Sequence, residues 1–214
     1  MKAVKMTAQV KEIIAALDRN FPDPQPFLHF QTPYELLIAT ILSAQCTDER
    51  VNKVTPALFA AANTPEKMIT LSQSTISRLI HSCGFFNAKS KSILATSHTL
   101  IEKFNGVVPA DLEKLQTLPG VGRKTASVVL TQAFNIPAFP VDTHVLRVAN
   151  RLSFAKSKDP TKVDLQARKK IASSLWRIVH LQIILLGRSW CRPKPKCPTC
   201  PLREVCPYPH KTKT

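Results

Sequence analysis

Four cysteines crowd the end of the chain: Cys191, Cys197, Cys200 and Cys206, spaced C-x5-C-x2-C-x5-C. Clustered thiols in a reducing compartment read as metal ligands, because disulfides do not persist there. Four thiolates hold either a tetrahedral zinc ion or a [4Fe–4S] cluster. Zinc modules usually pair two close dyads across a longer loop, and this segment has a single C-x2-C. The spacing therefore leans toward the cubane without deciding the matter. From Arg192 on the chain is dense in Pro, Cys, Lys and Arg and has too few apolar residues to build a core. Something other than burial must order it. Cys46 and Cys83 stand apart, each flanked by apolar helix, and read as small buried residues.

A second group of residues surrounds Leu118-Pro119-Gly120-Val121-Gly122-Arg123-Lys124-Thr125-Ala126. Gly120 and Gly122 permit positive φ and a tight reversal, and their missing Cβ atoms leave room for a ligand. A helix starting directly after them points backbone N–H groups into the turn, a ready site for a phosphate. Arg123 and Lys124 add positive charge beside it. Read alone, the same residues make a plain connection between two helices, Lys124 an ordinary solvated or phosphate-binding lysine, and Asp142 a good N-cap.

The chain has 214 residues, 30 Lys+Arg against 14 Asp+Glu, and a net charge of +16. That surplus repels itself, so it needs a reason: nucleic acid is the commonest partner for such a surface, anionic membrane the rival, and a merely solubilising charge the bland alternative. No stretch approaches the roughly 18 apolar residues of a membrane span. No apolar run follows the basic residues of Met1 to Val10, so no signal or transit peptide is expected. The expected location is the bacterial-type cytoplasm, at the nucleoid, with the chain acting as a monomer and no membrane partner.

The elements that would position these residues are helical. Glycines number only 5, and apolar and polar residues nowhere alternate for long. Thr32-Pro33-Tyr34-Glu35 reads as a capping box and Thr64-Pro65 as another start. Ser74 to Cys83 stops at Gly84, which reads as the residue beyond a helix end. Asn87 is the predicted cap of a long segment to Phe104, and Asp111 opens a short one. Ala126, Val129, Leu130 and Ala133 form one buried face of a helix from Lys124 to Phe134. Asp142 caps a segment through Leu152, and Thr161 to Leu186 holds one or two more helices. The pattern predicts an all-α fold of about nine or ten helices.

Three of these segments together resemble the endonuclease III family of DNA glycosylases. Leu118 to Ala126, continued by Val128-Val129-Leu130, is similar to the family's helix–hairpin–helix motif. Val141-Asp142-Thr143-His144-Val145-Leu146-Arg147 is similar to its Val-Asp-Thr-His-x-x-Arg segment, and Leu42-Ser43-Ala44-Gln45-Cys46-Thr47-Asp48 to a third. The resemblance runs from about Thr32 to Cys206.

The resemblance implies two helical lobes with a DNA-binding cleft between them. One is a continuous domain, residues 26–136, holding the helix–hairpin–helix motif at 112–131. The other joins 1–25 to 137–214 and carries the iron–sulfur cluster loop, 191–206. It implies a bifunctional enzyme that removes oxidised pyrimidines from duplex DNA and cleaves the abasic site by β-elimination. Lys124 would form the Schiff base, since an amine can displace the base at the sugar C1′ atom, and Asp142 would be the catalytic carboxylate. Gly120, Val121, Gly122, Arg123, Thr143, His144 and Arg147 fall on its DNA-binding segments, and Gln45 matches a residue that fills the gap left by a flipped base. Phe85 stands where relatives carry a smaller aliphatic wedge. Thr47, Asp48 and His144 are further candidates for the pocket lining.

For the cysteines, the resemblance selects a [4Fe–4S] cluster, with Arg192, Lys194 and Lys196 presented to phosphates. Two features depart from the family. Its first cysteine spacing is one residue longer than Arg192-Pro193-Lys194-Pro195-Lys196, and Leu186 replaces a common histidine. Other readings are a mismatch or purine-specific glycosylase on the same fold, a non-catalytic DNA clamp, and a zinc-binding nucleic-acid module.

Overall fold

The structure, a computed structural model, describes residues 4–213. Met1 to Ala3 and Thr214, which the sequence reading assigns to the second lobe, lie outside the described residues. Among the described residues the regular structure is entirely helical: α1 (Ala8–Asn20), α2 (Pro33–Leu42), α3 (Asp48–Ala61), α4 (Pro65–Ile69), α5 (Gln73–Leu79), α6 (Phe86–Phe104), α7 (Leu112–Gln116), α8 (Arg123–Ala133), α9 (Thr143–Arg151), α10 (Pro160–Lys170) and α11 (Trp176–Ser189), with short 3-10 turns at Ser173–Leu175 and Cys197–Thr199. No helix is long and apolar enough to cross a membrane.

The helix starts explain themselves locally. Thr7, Thr32, Thr47, Thr64, Ser72, Asp111, Asp142 and Asp159 each accept a hydrogen bond from a first-turn N–H. Each such cap contributes about 1 kcal/mol. Three starts have no side-chain cap: α6 behind Phe85, α8 behind Gly122 and α11 behind Leu175. The last of these is entered from a 3-10 turn. The other two begin at the loops that carry Phe85 and the paired glycines.

Several boundaries differ from the sequence reading. α6 starts at Phe86, so Asn87 lies inside it, and the Asn87 carboxamide oxygen accepts from Ser77 Oγ at 2.9 Å. α5 stops at Leu79, well before Gly84, and its C-cap is Ile80. Glu35 turns its carboxylate to the Gln31 N–H (2.6 Å) instead of closing a capping box on Thr32. Only Gly120 uses the left-handed region (φ +77°), whereas Gly122 sits at φ −87°. α3 escapes the sequence reading because Pro56 interrupts its interior. Its buried Val51, Val54, Thr55 and Leu58 nevertheless follow helical spacing.

The chain divides into two compact units, Pro26–Ile136 and Met1–Gln25 with Pro137–Thr214. In the first, every residue of α2 from Tyr34 to Leu42 is buried, and α2 packs on α3, α6 and α8. At roughly 1.5–3 kcal/mol per fully buried Leu or Ile, this helix outweighs any single cap. Two buried polar contacts are made here: the Tyr34 and Ser97 hydroxyls lie 2.7 Å apart, and Thr96 Oγ1 donates to the Pro119 carbonyl at 2.6 Å. In the second unit α11 packs on α1 and α9. Gly187 permits close crossing, because a Cβ there would come within 3.1 Å of Val148 and 3.2 Å of His144. Trp176 is buried, donates Nε1–H to the Ile171 carbonyl at 2.8 Å, and carries Arg168 over its ring.

The two hairpin glycines differ in a testable way. A Cβ on Gly120 would meet Ser92 Cβ at 3.0 Å at a positive φ, whereas nothing lies within 4 Å of one on Gly122. Gly120→Ala is expected to lower unfolding stability by about 1–3 kcal/mol, and Gly122→Ala to leave it within roughly 0.5 kcal/mol. Urea unfolding of both variants checks this.

Candidate active site

In the unit Pro26–Ile136, α7 and α8 form the two arms of the helix–hairpin–helix. Leu118 and Val121 are buried anchors, and the turn closes with the Val121 N–H donating to the Leu118 carbonyl at 3.1 Å. Val121 thus spends both side chain and amide inside the turn. Gly122 and Lys124 are exposed and Arg123 is half-buried. Lys124 is the second residue of α8, within the first turn at the helix's positive end. Gly122 leaves the approach to that end open, since no side chain caps it and no atom crowds it.

Two loops of the same unit hold side chains in costly conformations. Gln45 (φ +52°) and Phe85 (φ +58°) both occupy the left-handed region. For non-glycine residues this costs on the order of 1–2 kcal/mol each. The loops meet at Gly84, where a Cβ would make ordinary contact, 3.5 Å from the Gln45 carbonyl oxygen. The Phe85 ring is 66% exposed, so it is not a core residue. Gln45 is exposed as well.

In the other unit, Asp142 divides its carboxylate. Oδ1 accepts from the Val145 N–H at 2.7 Å and caps α9, while Oδ2 lies 3.6 Å from His144 Nδ1. One oxygen therefore stays outside the cap, and the side chain keeps 23% of its surface exposed. Thr143 is exposed and His144 half-buried. Arg147 turns inward: Nε donates to the Cys191 carbonyl at 2.9 Å, and Nη2 to the Gly187 carbonyl at 3.1 Å.

All four C-terminal cysteines line one pocket, together with Arg151, Leu152, Leu186, Trp190, Pro195, Leu202 and Tyr208. No three Cys, His, Asp or Glu side chains among the described residues converge on a single ion's position. Burial pushes the Cys200 and Cys206 thiols up, a cost that metal ligation would offset.

The shortened first loop is closed by protein contacts that sequence reasoning missed. Arg151 donates to the Arg192 carbonyl at 2.6 Å, the Pro193 carbonyl at 3.0 Å and Cys191 Sγ at 3.4 Å, and lies 5.0 Å from the Tyr208 ring centroid. The Lys196 N–H reaches the Trp190 carbonyl at 2.9 Å, and Thr212 bridges Cys197 and Pro195. Leu186, which stands for the family's usual histidine, is buried and forms part of the pocket wall. Arg192, Lys194 and Lys196 are all exposed on this loop.

Residues 38–173 match the HhH-GPD superfamily of base excision DNA repair proteins. The chain is 44% identical to endonuclease III of Haemophilus influenzae, covering 94% of this chain and 96% of that one. It is 43% identical to endonuclease III of Escherichia coli, over 94% and 95% of the two chains. Among solved structures it matches a trapped endonuclease III–DNA covalent intermediate with a TM-score of 0.88 and 42% identity, covering 95% of this chain and 97% of that one. The matched residues include the hairpin, α9 and its capping aspartate, so this chain belongs to the endonuclease III family of base excision DNA repair proteins.

Proposed function

We propose that this chain is a bifunctional DNA glycosylase and abasic-site lyase acting on oxidised pyrimidines in duplex DNA. The observation that carries the reading is Lys124, an exposed amine on the first turn of α8 beside an uncapped, uncrowded Gly122. The similarity to an endonuclease III caught in a covalent complex with DNA supports it. Exposure has a consequence: the water hydrating the amine leaves only when substrate covers it.

The steps follow from the residues. A phosphate docks at the start of α8, held by backbone N–H groups and the helix dipole. The damaged nucleotide leaves the stack, and Gln45 and Phe85 occupy the space it vacates. Neutral Lys124 Nζ attacks the sugar C1′ and the base departs. The ring opens to an imine, and loss of a C2′ proton expels the 3′ phosphate. Asp142 Oδ2, not needed by the cap, stabilises positive charge on the sugar or takes the proton from the attacking amine. Arg147 positions Cys191 and Gly187, and Arg192, Lys194 and Lys196 offer charge to the backbone.

Cys191, Cys197, Cys200 and Cys206 would hold a [4Fe–4S] cluster. When bound, it supplies iron–thiolate bonds that order the tail. The chain is expected to work as a monomer in the cytoplasm, on nucleoid DNA.

Three variants test the assignment on duplex DNA with one thymine glycol. Lys124→Ala is expected to lose strand nicking by at least about 100-fold while still binding. Full nicking by this variant would rule out Lys124 as nucleophile. Asp142→Asn keeps a good cap, so its stability stays within roughly 0.5 kcal/mol while turnover falls on the order of 100-fold. Asp142→Ala loses the cap too and about 1 kcal/mol with it. Equal turnover in Asp142→Asn and wild type would reduce Asp142 to a cap.

A further inference from the structure

One cluster in the unit Pro26–Ile136 takes no part in this chemistry. Cys83 is fully buried and Cys46 is half-buried, and the chain segments that carry them meet where Gly84, next to Cys83, lies against the carbonyl of Gln45, next to Cys46. Beside them Lys89, on the first turns of α6, is only 6% exposed. Its Nζ is closed off from water and has no hydrogen-bond partner. The charged or titratable groups that face this cluster are the two thiols, Lys89 and Arg50. A buried ammonium without an acceptor is costly, and a thiolate beside it relieves that cost.

The position matters as much as the chemistry. Cys46 directly follows Gln45, and Cys83 precedes Phe85 by one glycine. Both neighbours sit in the left-handed region, and their loops touch at Gly84. We propose that Cys46 and Cys83 form a hydroperoxide-sensitive dithiol that closes to a disulfide and locks together the loops carrying Gln45 and Phe85.

The steps balance. Cys46 sulfur attacks one oxygen of a hydroperoxide and the O–O bond breaks. The departing oxygen takes the thiol proton and leaves as an alcohol, or as water from hydrogen peroxide, and Cys46 becomes a sulfenic acid. The Cys83 sulfur then attacks the Cys46 sulfur. The S–O bond breaks, and hydroxide leaves as water with the Cys83 proton. The two thiols supply two electrons and the peroxide accepts them. Accessibility assigns the order, because Cys46 reaches solvent and Cys83 does not. Burial also pushes the Cys83 thiol up to about 11, so it stays protonated and is not the first of the two to react.

A disulfide holds its two sulfurs about 2.05 Å apart. That bond pulls on two strained loops at once. The expected consequence is weaker binding to DNA with an abasic site, which rests on the reading of Gln45 and Phe85 as stack-facing residues.

The full-length protein, with its tail cysteines ligated, is treated with hydrogen peroxide and digested without reductant. Peptide mapping looks for a Cys46–Cys83 link, and anisotropy measures affinity for a duplex bearing an abasic-site analogue. The expected result is a link reversed by dithiothreitol, with affinity lower by roughly tenfold, the worth of about one stacked base. Cys46→Ser, and independently Cys83→Ala, should keep their affinity through the same treatment. Lys89→Met should slow the link several-fold, and Lys89→Arg should restore the rate. Absence of the link, or a linked protein that binds as tightly as the reduced one, overturns the proposal. If the reduced protein fails to bind the duplex at all, the proposed function falls, while peptide mapping still decides the dithiol.

Discussion

The reversal at Pro119-Gly120 is held from beneath. The Thr96 hydroxyl grips the Pro119 carbonyl, and Gly120 adopts a positive φ so close to Ser92 that a methyl group there would press on its side chain. α6 therefore sets where α8 begins, and the start of α8 sets where Lys124 stands. Buried Leu118 and Val121 prevent the turn from rocking. The open side of the same turn is Gly122, where nothing crowds the backbone. One glycine serves the fold and the other leaves space. The candidate chemistry depends on that division, because an amine delivers a covalent step only if its helix is aimed before substrate arrives.

The second unit solves a different problem. Its tail is too polar to fold by burial, so order comes from a shared pocket of four thiols and from donors reaching across to the tail's backbone. Arg151 does most of this, with contacts to three successive carbonyls or sulfurs between Cys191 and Pro193. Arg147 does the same for Cys191 and Gly187 from one turn earlier. α9 thus carries the capping aspartate at one end and anchors the cysteine loop along its length. These arginines hold a tail that is one residue short in its first loop.

Much of this was legible from residue types. Caps at Thr32, Asp111 and Asp142 announced their helices because a short oxygen-bearing side chain has few better uses before an apolar run. The hairpin and the four cysteines were visible for the same reason: their chemistry is local in sequence. What stayed hidden was non-local or strained. Pro56 masked α3, whose interior tolerates it only because tertiary burial holds the helix. Asn87 was a plausible cap, but Phe85 takes the cap position in a left-handed conformation that its type disfavours. Arg151 gave no signal at all, since its partners lie about forty residues away. Cys46, Cys83 and Lys89 read separately as small core residues and a helix lysine, and only folding brings them together.

Two of the five non-glycine residues in the left-handed region, Gln45 and Phe85, lie in the loops expected to meet an opened base stack. Exposed strain of that kind persists only when the surrounding structure imposes it. The central claim is narrower: the amine at the start of α8 is the one that becomes covalently attached to DNA. The most direct measurement is to reduce the protein–DNA imine with borohydride, digest the product, and locate the sugar remnant by mass spectrometry. The account predicts the remnant on Lys124, in the peptide that follows the hairpin. A remnant on Lys89, on any other lysine or on the N-terminal amine would contradict it.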